Sequence, residues 1–288
     1  MIDDSLVARF QQDGYVVIPD LLTADELDHY EAEVTAAVSS RKQFDRRSLA
    51  EKSTYEQSFI QCMNLWEDFP GVRPLTFHPR IAEAAALLLG VPRVRLWHDQ
   101  ALFKEPGGRV TDPHQDLPYW AMAETDALTA WIPLGGATRE NGCLGYVPGS
   151  HRLGIRQLVD IFRGSEQELA EQAEALLVAD PVFVEVPRGA VAFHHGLTAH
   201  QAMPNTTART RAVHTMIFFR DGMTRHATNA HYCVDRAGIK PGEVIKSAAT
   251  PIAWPREPGD LPAPPAPLTY PEKIMRTGTF PLSNETST

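Results

Sequence analysis

Three residues in two separate segments of the chain have the types and spacing of a metal site. His114 and Asp116 are two positions apart, so in an extended segment both side chains leave the same face. His200, much further along the chain, supplies a second imidazole. Two histidines and one carboxylate on one face of an octahedral metal leave three positions open, which is the arrangement of non-haem iron(II) oxygenase sites.

An arginine is predicted to lie beside the third of these residues. Pro204, Asn205 and the two threonines that follow suit a turn, and a hairpin centred just after Asn205 would pair His200 with Arg211 on one face. A guanidinium beside a metal-binding histidine makes sense if an anion binds next to the metal. We therefore expect a dicarboxylate to chelate the metal at one end and to bind Arg211 through a bidentate pair at the other.

Other residues compete for two of these roles. His194, His195 and His214 are alternative third ligands, and His194 has the same strand parity as His200, but all three are more typical of packing or pocket residues. Arg209 shares a strand face with Arg211, and a single β-bulge would bring Arg209 opposite His200 instead.

The chain resembles the phytanoyl-CoA dioxygenase-like family of Fe(II)/2-oxoglutarate-dependent oxygenases over about residues 10–219. The most specific part of the resemblance is the order and spacing of His114, Asp116, His200 and Arg211. Supporting pieces are Gln115 inside the motif, the opening segment 10–19, TAWIPL from Thr129 and ENGCLGYVPGSH from Glu140.

This resemblance implies both a fold and a reaction. The fold is mainly β with flanking helices, a double-stranded β-helix of the jelly-roll or cupin-like type. His114, Asp116 and His200 would bind Fe(II), and 2-oxoglutarate would chelate the iron and pair with Arg211. With O₂, the products would be succinate, CO₂ and a hydroxylated small molecule. The carboxylate at Asp116 disfavours halogenation, because a halogenase of this fold has a small residue there.

Four further residues are expected near the co-substrate. By resemblance Trp131 lines its pocket, although a core aromatic is an alternative. Gln100 and Lys104 share one face of an extended segment and are candidates for polar contacts, although Lys104 could equally be an edge-strand charge. Many relatives have a serine or threonine where this chain has Ala202, and Thr215 could offer a substitute hydroxyl.

Five residues are candidates for substrate contact. Tyr119 and Trp120 follow the metal-binding segment directly, and Gln115 lies within it. Asn64 and Trp66 lie in the N-terminal half, which often walls the substrate pocket in this family. An exposed Trp66 would mark a binding surface, whereas a buried one would only pack.

The secondary-structure pattern predicts one domain. A chain of 288 residues with 43% apolar content can bury one substantial core. We expect helices from a Thr23 capping box to about Val38 and between Pro79 and Gly90. Short strands are expected at 94–103, 127–134, 144–147, 182–186, 190–194 and 209–219.

Two segments fall outside this pattern. Residues 152–180 contain a charged helical stretch that is either an insertion over the barrel mouth or a solvated surface helix. The oxygenase domain is placed at 1–250. Residues 251–288 are a proline-rich extension without a core of its own, holding nine of the 23 prolines.

Charge and cysteine content restrict the partners. The net charge of −9 is spread along the chain, which argues against nucleic acid or an anionic membrane as the partner and slightly disfavours a CoA ester as substrate. No apolar run approaches a membrane span, and the N-terminus has no secretory pattern. Cys62, Cys143 and Cys233 suit reduced thiols in a cytoplasmic protein. The sequence leaves the oligomeric state open.

Two other functional classes stay open from the residues alone. One is a barrel hydrolase or isomerase with another divalent metal at the same triad, in which Arg211 binds an anionic substrate directly. The other is a non-catalytic barrel that binds a small molecule.

Overall fold

Two antiparallel sheets and a set of helices make up the part of the chain that the structure describes. The structure is a computed structural model, and it describes residues 2–156, 165–227, 229–257 and 259–267. The helices within these ranges are α1 (Asp4–Asp13), α2 (Ala24–Lys42), α3 (Leu65–Asp68), α4 (Arg73–Thr76), α5 (Pro79–Leu89), α6 (Glu166–Leu176) and α7 (Tyr232–Asp235). The strands are β1 (Tyr15–Ile18), β2 (Ile60–Met63), β3 (Val94–Phe103), β4 (Thr111–His114), β5 (Ala127–Pro133), β6 (Leu144–Tyr146), β7 (Val182–Val184), β8 (Val191–His195), β9 (His200–Ala202), β10 (Val213–Arg220) and β11 (Ile252–Trp254).

The strands pair in an order far from their order in the sequence. The large sheet runs β1-β8-β5-β10-β3-β11, and β2 also pairs with β3. The small sheet runs β4-β9-β6-β7. Each of these pairings is antiparallel, and strands distant in the chain, such as β1 and β8, become neighbours. This arrangement with flanking helices is the predicted mainly β class.

Helices α2 and α5 begin where the sequence signals indicate, and α5 also ends there. Thr23 and Glu26 form a reciprocal capping box at the start of α2. This helix continues to Lys42, four residues beyond the predicted end, and Arg41 near its C-terminus donates to the Met63 carbonyl at 2.6 Å. Proline at the first position starts α5, and Gly90 ends it with φ +66°.

Apolar residues fill two layers, one on each face of the large sheet. Helices α2 and α5 cover the outer face, where Val34 and Ile81 pack in one cluster with Phe193 and Phe218. Between the two sheets lies a second cluster that includes Trp131 from the large sheet, together with Leu144, Tyr146 and Ala202 from the small sheet. Strand side chains alternate between these two layers.

The predicted hairpin between His200 and Arg211 is wrong. His200 lies on β9 in the small sheet, opposite His114 and Tyr146. Arg211 precedes β10, which lies in the large sheet, and it forms an isolated bridge with Lys104. The turn residues correctly indicate that the chain reverses, but turn chemistry does not determine that the two arms join different sheets.

Helix α6 packs against the small sheet and the side of the cavity described below. Leu169 and Leu176 are buried in one cluster with Tyr55 and Phe59. The described part of the predicted insertion is therefore anchored by its apolar face and is not a freely solvated helix. Residues 157–164 of this segment lie outside the described residues.

The proline-rich segment begins inside the fold. Strand β11 pairs with β3, and Ala253 is buried in the core under α5. The predicted domain boundary at residue 250 therefore separates β11 from the sheet to which it belongs. Residues 268–288 of the expected extension lie outside the described residues. In the described part of the chain no helix is both long and apolar enough to span a bilayer.

Candidate metal centre and co-substrate pocket

The small sheet brings the three candidate ligands together. His114 at the end of β4 is paired with His200 at the start of β9, and Asp116 lies in the turn that follows β4. One ligand atom from each residue lies within 4.8 Å of the other two. Asp116 Oδ1 is 3.6 Å from Nε2 of His114 and 3.9 Å from Nε2 of His200.

Backbone carbonyls orient both imidazoles for metal binding. His114 Nδ1 donates to the Asp112 carbonyl at 2.8 Å, and His200 Nδ1 donates to the Thr198 carbonyl at 3.0 Å. A carbonyl cannot donate, so the proton is on Nδ1 and Nε2 keeps its lone pair. Fixing the tautomer in this way is typical of metal-binding histidines.

The second oxygen of Asp116 is held by the large sheet. Thr129 Oγ1 donates to Oδ2 at 2.8 Å, and His194 Nε2 lies 3.1 Å from the same oxygen. Thr129 and His194 are direct partners on β5 and β8, and the hydroxyl of Tyr146 lies 3.4 Å from the other nitrogen of His194. His194, one of the alternative ligands, is thus a neighbour that orients the carboxylate.

Burial sets the protonation states that a metal site needs. It lowers the pKa of His114 and of His200 to about 4, so both imidazoles are neutral at pH 7. Burial alone would raise the pKa of Asp116, but His200 and the hydrogen bond from His194 outweigh it and hold this pKa far below its ordinary value. Two neutral imidazoles and one carboxylate are suitable ligands for a divalent iron.

The two remaining histidine alternatives lie away from the triad. His195 accepts a hydrogen bond from the Leu197 amide, and its ring lies 5.5 Å from that of His151. His214 faces the other side of the large sheet, where its Nε2 is 3.5 Å from the buried Asp99 carboxylate.

Arg211 is a buried cation at the other end of the site. Its Nη1 donates to the Gly142 carbonyl, and the guanidinium lies 5.2 Å from the centroid of the Trp131 ring. No carboxylate among the described residues pairs with it, and its Nε has no hydrogen-bond partner there. Burial lowers the pKa of Arg211 to about 10, so the cation persists at neutral pH. The site fits a bound carboxylate, which would supply both the missing charge and the missing acceptor.

Three residues predicted near the co-substrate form one row across the large sheet. Thr215 on β10 is paired with Gln100 on β3 and with Trp131 on β5. Directly opposed residues share a face, and all three line the cavity that contains the triad. Gln100 is positioned further by Gln61, whose amide donates to it at 2.6 Å.

The other co-substrate candidates differ in their placement. Ala202 lines the cavity. Lys104 does not line the cavity. Its amine donates to the Arg109 carbonyl and lies 3.4 Å from Thr111 Oγ1, so Lys104 is not placed to make the expected contact with 2-oxoglutarate. Arg209 is exposed and also lies outside the cavity lining.

The cavity has a volume of about 290 Å³ and lies between the two sheets. Of the residues expected to touch substrate, Tyr119 and Trp120 line it, but three others do not. The amide of Gln115 is bound to the carbonyls of Leu197 and Gly154. Asn64 and Trp66 are buried elsewhere, and Trp66 packs edge-on against Phe77. The period of two that puts His114 and Asp116 on one face puts Gln115 on the opposite face, away from the cavity.

Several lining residues were not among the sequence candidates. His98 shares a strand face with Gln100, so the period of two on β3 could have identified it. Tyr55 and Phe59 lie in a loop, and His231 and Tyr232 lie at the start of the short helix α7, where no periodic signal exists.

Comparisons with known proteins agree with this geometry. The sequence profile of the phytanoyl-CoA dioxygenase (PhyH) family matches residues 10–213. Phytanoyl-CoA dioxygenase domain-containing protein 1 of Bos taurus is 26% identical over 259 residues, covering 74% of this chain and 89% of that protein.

Solved structures with the same fold include two enzymes of nogalamycin biosynthesis. The non-haem α-ketoglutarate-dependent carbocyclase SnoK superposes with a TM-score of 0.73 at 27% identity, covering 87% of this chain and 96% of SnoK. The epimerase SnoN, in complex with Fe³⁺, α-ketoglutarate and nogalamycin RO, has a TM-score of 0.68 at 26% identity, covering 87% and 98%. This likeness confirms the double-stranded β-helix. The chain belongs to the phytanoyl-CoA dioxygenase family, and it is an oxygenase that uses Fe(II), 2-oxoglutarate and O₂.

Proposed function

We propose that the protein hydroxylates a C–H bond of a small organic molecule and releases succinate and CO₂. One observation carries the proposal. Arg211 is a buried guanidinium without a carboxylate partner among the described residues, and it lines the same cavity as His114, Asp116 and His200. A buried unpaired cation is costly, so the fold tolerates it best where a ligand supplies the anion.

Each part of the site has a role in this reaction. His114, Asp116 and His200 would hold Fe(II), which supplies the activation of O₂ and the cleavage of the C–H bond. Thr129 and His194 keep the Asp116 carboxylate oriented. Arg211 would bind the distal carboxylate of 2-oxoglutarate, and the aromatic walls of the cavity would exclude water.

The test begins with co-substrate binding. Protein loaded with Fe(II) and 2-oxoglutarate without oxygen is expected to show a weak visible charge-transfer band, because the keto acid chelates the metal at the open positions. On exposure to air it should release succinate. Stoichiometric iron binding with neither the band nor succinate would favour the divalent-metal hydrolase, or the non-catalytic binding barrel.

Product analysis separates hydroxylation from other outcomes of C–H cleavage. A hydroxylase adds one oxygen from O₂ to its substrate, which is visible as a mass increase with ¹⁸O₂. The structural neighbours include a non-haem α-ketoglutarate-dependent carbocyclase and an epimerase bound to Fe³⁺ and α-ketoglutarate. A product without ¹⁸O would therefore reject the hydroxylation while leaving the cofactor set intact.

A further inference from the structure

One wall of the cavity carries polar side chains that have no role in holding iron or 2-oxoglutarate. His98 on β3 lines this wall together with His231, which caps α7, and Tyr232, the first residue of that helix. His231 and Tyr232 follow residue 213, where the match to the family profile ends. Two of the three wall residues therefore come from the C-terminal part of the chain.

His98 offers a hydrogen-bond acceptor to the cavity. Its Nδ1 is 3.3 Å from the Asp99 carbonyl, which can only accept, so Nδ1 carries the proton and Nε2 has a free lone pair. The residue is 3% exposed, and burial lowers its pKa to about 4. At neutral pH the ring is uncharged and keeps this acceptor.

His231 and Tyr232 offer the complementary donors. His231 Nδ1 accepts from the Cys233 amide at 3.3 Å, so in the neutral ring the proton is on Nε2. The rings of His231 and His98 are stacked with centroids 5.7 Å apart and 10° between their planes. The hydroxyl of Tyr232 is buried on the same wall, beside the Cys233 thiol.

This wall is held rigidly from behind. Arg236, on the turn after α7, forms a buried double pair with Glu67 at 2.7 and 3.1 Å. The thiol of Cys233 donates to the Trp97 carbonyl at 3.1 Å. Because these side chains are already ordered, binding a ligand here costs little side-chain entropy, which favours specific recognition.

The distance between this wall and the metal-binding residues is one that a small organic substrate can span. In the large sheet, His98 is paired with Ile217 on β10, which is paired with Thr129 on β5, the residue bonded to Asp116. Neighbouring strands are about 4.8 Å apart, so His98 and Thr129 are separated by roughly 10 Å. Aromatic side chains, including Tyr119 and Trp120, line the same cavity.

The cavity has no spare charge for an ionic substrate. Among the described residues that line it, Asp116 is the only acidic side chain, and Arg211 is the only lysine or arginine. In the proposed function both are committed, one to iron and one to 2-oxoglutarate. A second anion would be desolvated there without a partner, which is costly.

Building on the proposed function, we propose that His98, His231 and Tyr232 form a hydrogen-bonding subsite for an uncharged hydroxyl or carbonyl group. The substrate is then a neutral, oxygenated ring compound whose apolar body fills the aromatic part of the cavity. A CoA thioester, a phosphonate and an amino-acid-like zwitterion do not match this lining.

Four probes test this subsite on protein loaded with Fe(II) and 2-oxoglutarate under anaerobic conditions. They are 2-naphthol, naphthalene, 2-naphthoate and coenzyme A, with dissociation constants measured by equilibrium dialysis. We expect 2-naphthol to bind about tenfold or more tightly than naphthalene or 2-naphthoate, because a tenfold ratio corresponds to about 1.4 kcal/mol, the scale of a small number of hydrogen bonds. Coenzyme A should show no binding at a concentration at which 2-naphthol saturates the protein.

Variants identify the residues responsible. Tyr232→Phe removes one hydroxyl and should weaken 2-naphthol binding by roughly threefold to tenfold while leaving naphthalene unchanged. His98→Leu and His231→Leu should do the same. Tyr30→Phe, a buried tyrosine on α2 outside the cavity lining, is the matched control and should change neither constant.

Two results would overturn the subsite. One is tighter binding of 2-naphthoate or coenzyme A than of 2-naphthol, and the other is an equal loss of naphthalene and 2-naphthol binding in the Tyr232→Phe protein. The charge-transfer band of the same samples shows whether the subsite alone is wrong or whether the proposed oxygenase function is wrong as well. A normal band without selectivity for 2-naphthol rejects the subsite alone, whereas a missing band with bound iron rejects the oxygenase site.

Discussion

At the scale of single residues, Arg211 gives the sharpest test of co-substrate binding. Arg211→Lys keeps the charge but loses the fork that binds a carboxylate through two hydrogen bonds. Hydrogen bonds to charged groups contribute about 1.5–3 kcal/mol, so the affinity for 2-oxoglutarate should fall roughly tenfold to a hundredfold. Titration of the charge-transfer band measures this affinity.

Arg209→Lys is the matched control for that substitution. Arg209 is exposed and lies outside the cavity lining, so its variant should bind 2-oxoglutarate like the unmodified protein. Iron affinity should stay the same in both variants because neither arginine is a ligand. A larger loss at Arg209 than at Arg211 would contradict the assignment of the carboxylate to Arg211.

Asp116 gives the corresponding test of the metal site. Asp116→Ala removes the only charged member of the triad. Losing a residue that merely hydrogen-bonds to a metal ligand typically lowers metal affinity about 10–100-fold, so losing the ligand itself should weaken Fe(II) binding by at least about a hundredfold. Succinate formation should stop. Iron content after dialysis and succinate release are the measurements. Normal iron binding in this variant would mean that Asp116 is not a ligand.

At the scale of elements, helix α6 is expected to open independently of the two sheets. Leu169 is 1% exposed and attaches α6 to Tyr55 and Phe59 beside the cavity. Leu169→Ala should cost about 2 kcal/mol or more of local stability, which corresponds to at least tenfold faster hydrogen exchange of the α6 amides. Exchange along β10 should change much less.

Val178→Ala is the control for the α6 experiment. Val178 follows the helix and is 48% exposed, so truncating it should leave the exchange of α6 nearly unchanged. Loss of protection throughout both sheets in the Leu169→Ala protein would show instead that α6 is part of the global folding unit.

At the scale of the whole molecule, a buried carboxyl group behind the large sheet makes stability depend on pH. Burial raises the pKa of Asp99 from 3.8 to about 7, with hydrogen bonds from Thr76 and the Trp66 amide opposing the rise. The nearby His214 is neutral because burial lowers its pKa to about 3. The folded state therefore binds a proton that the unfolded state has released.

The direction of the effect follows from that difference. The contribution of Asp99 is fully present below about pH 3.8 and is lost as the pH rises to about 7. Asp99→Asn cannot ionise, so between pH 5 and 8 its unfolding free energy should gain up to about 3 kcal/mol relative to the unmodified protein, since one pKa unit is about 1.4 kcal/mol. Urea denaturation at several pH values measures the two curves. Parallel curves would contradict a protonated Asp99.

The sequence alone determined the parts of this protein that depend on local spacing. Alternating and apolar runs predicted β3 with the bounds observed, and the capping box predicted the start of α2. The period of two predicted that His114 and Asp116 lie together. It also predicted that Gln100 and Lys104 share a face toward the site, but only Gln100 lines the cavity. These inferences hold because side-chain direction along a strand or helix follows from backbone geometry.

Tertiary structure decided everything that depends on which sheet an element joins. A turn at Asn205 was predictable, but the separation of β9 from β10 into different sheets was not, so Arg211 meets Trp131 and Gly142 instead of His200. The role of His194 beside Asp116, and the wall formed by His231 and Tyr232, also needed the fold. Such contacts join residues far apart in the chain, and long-range strand pairing is fixed by the packing of the whole core and not by any local pattern.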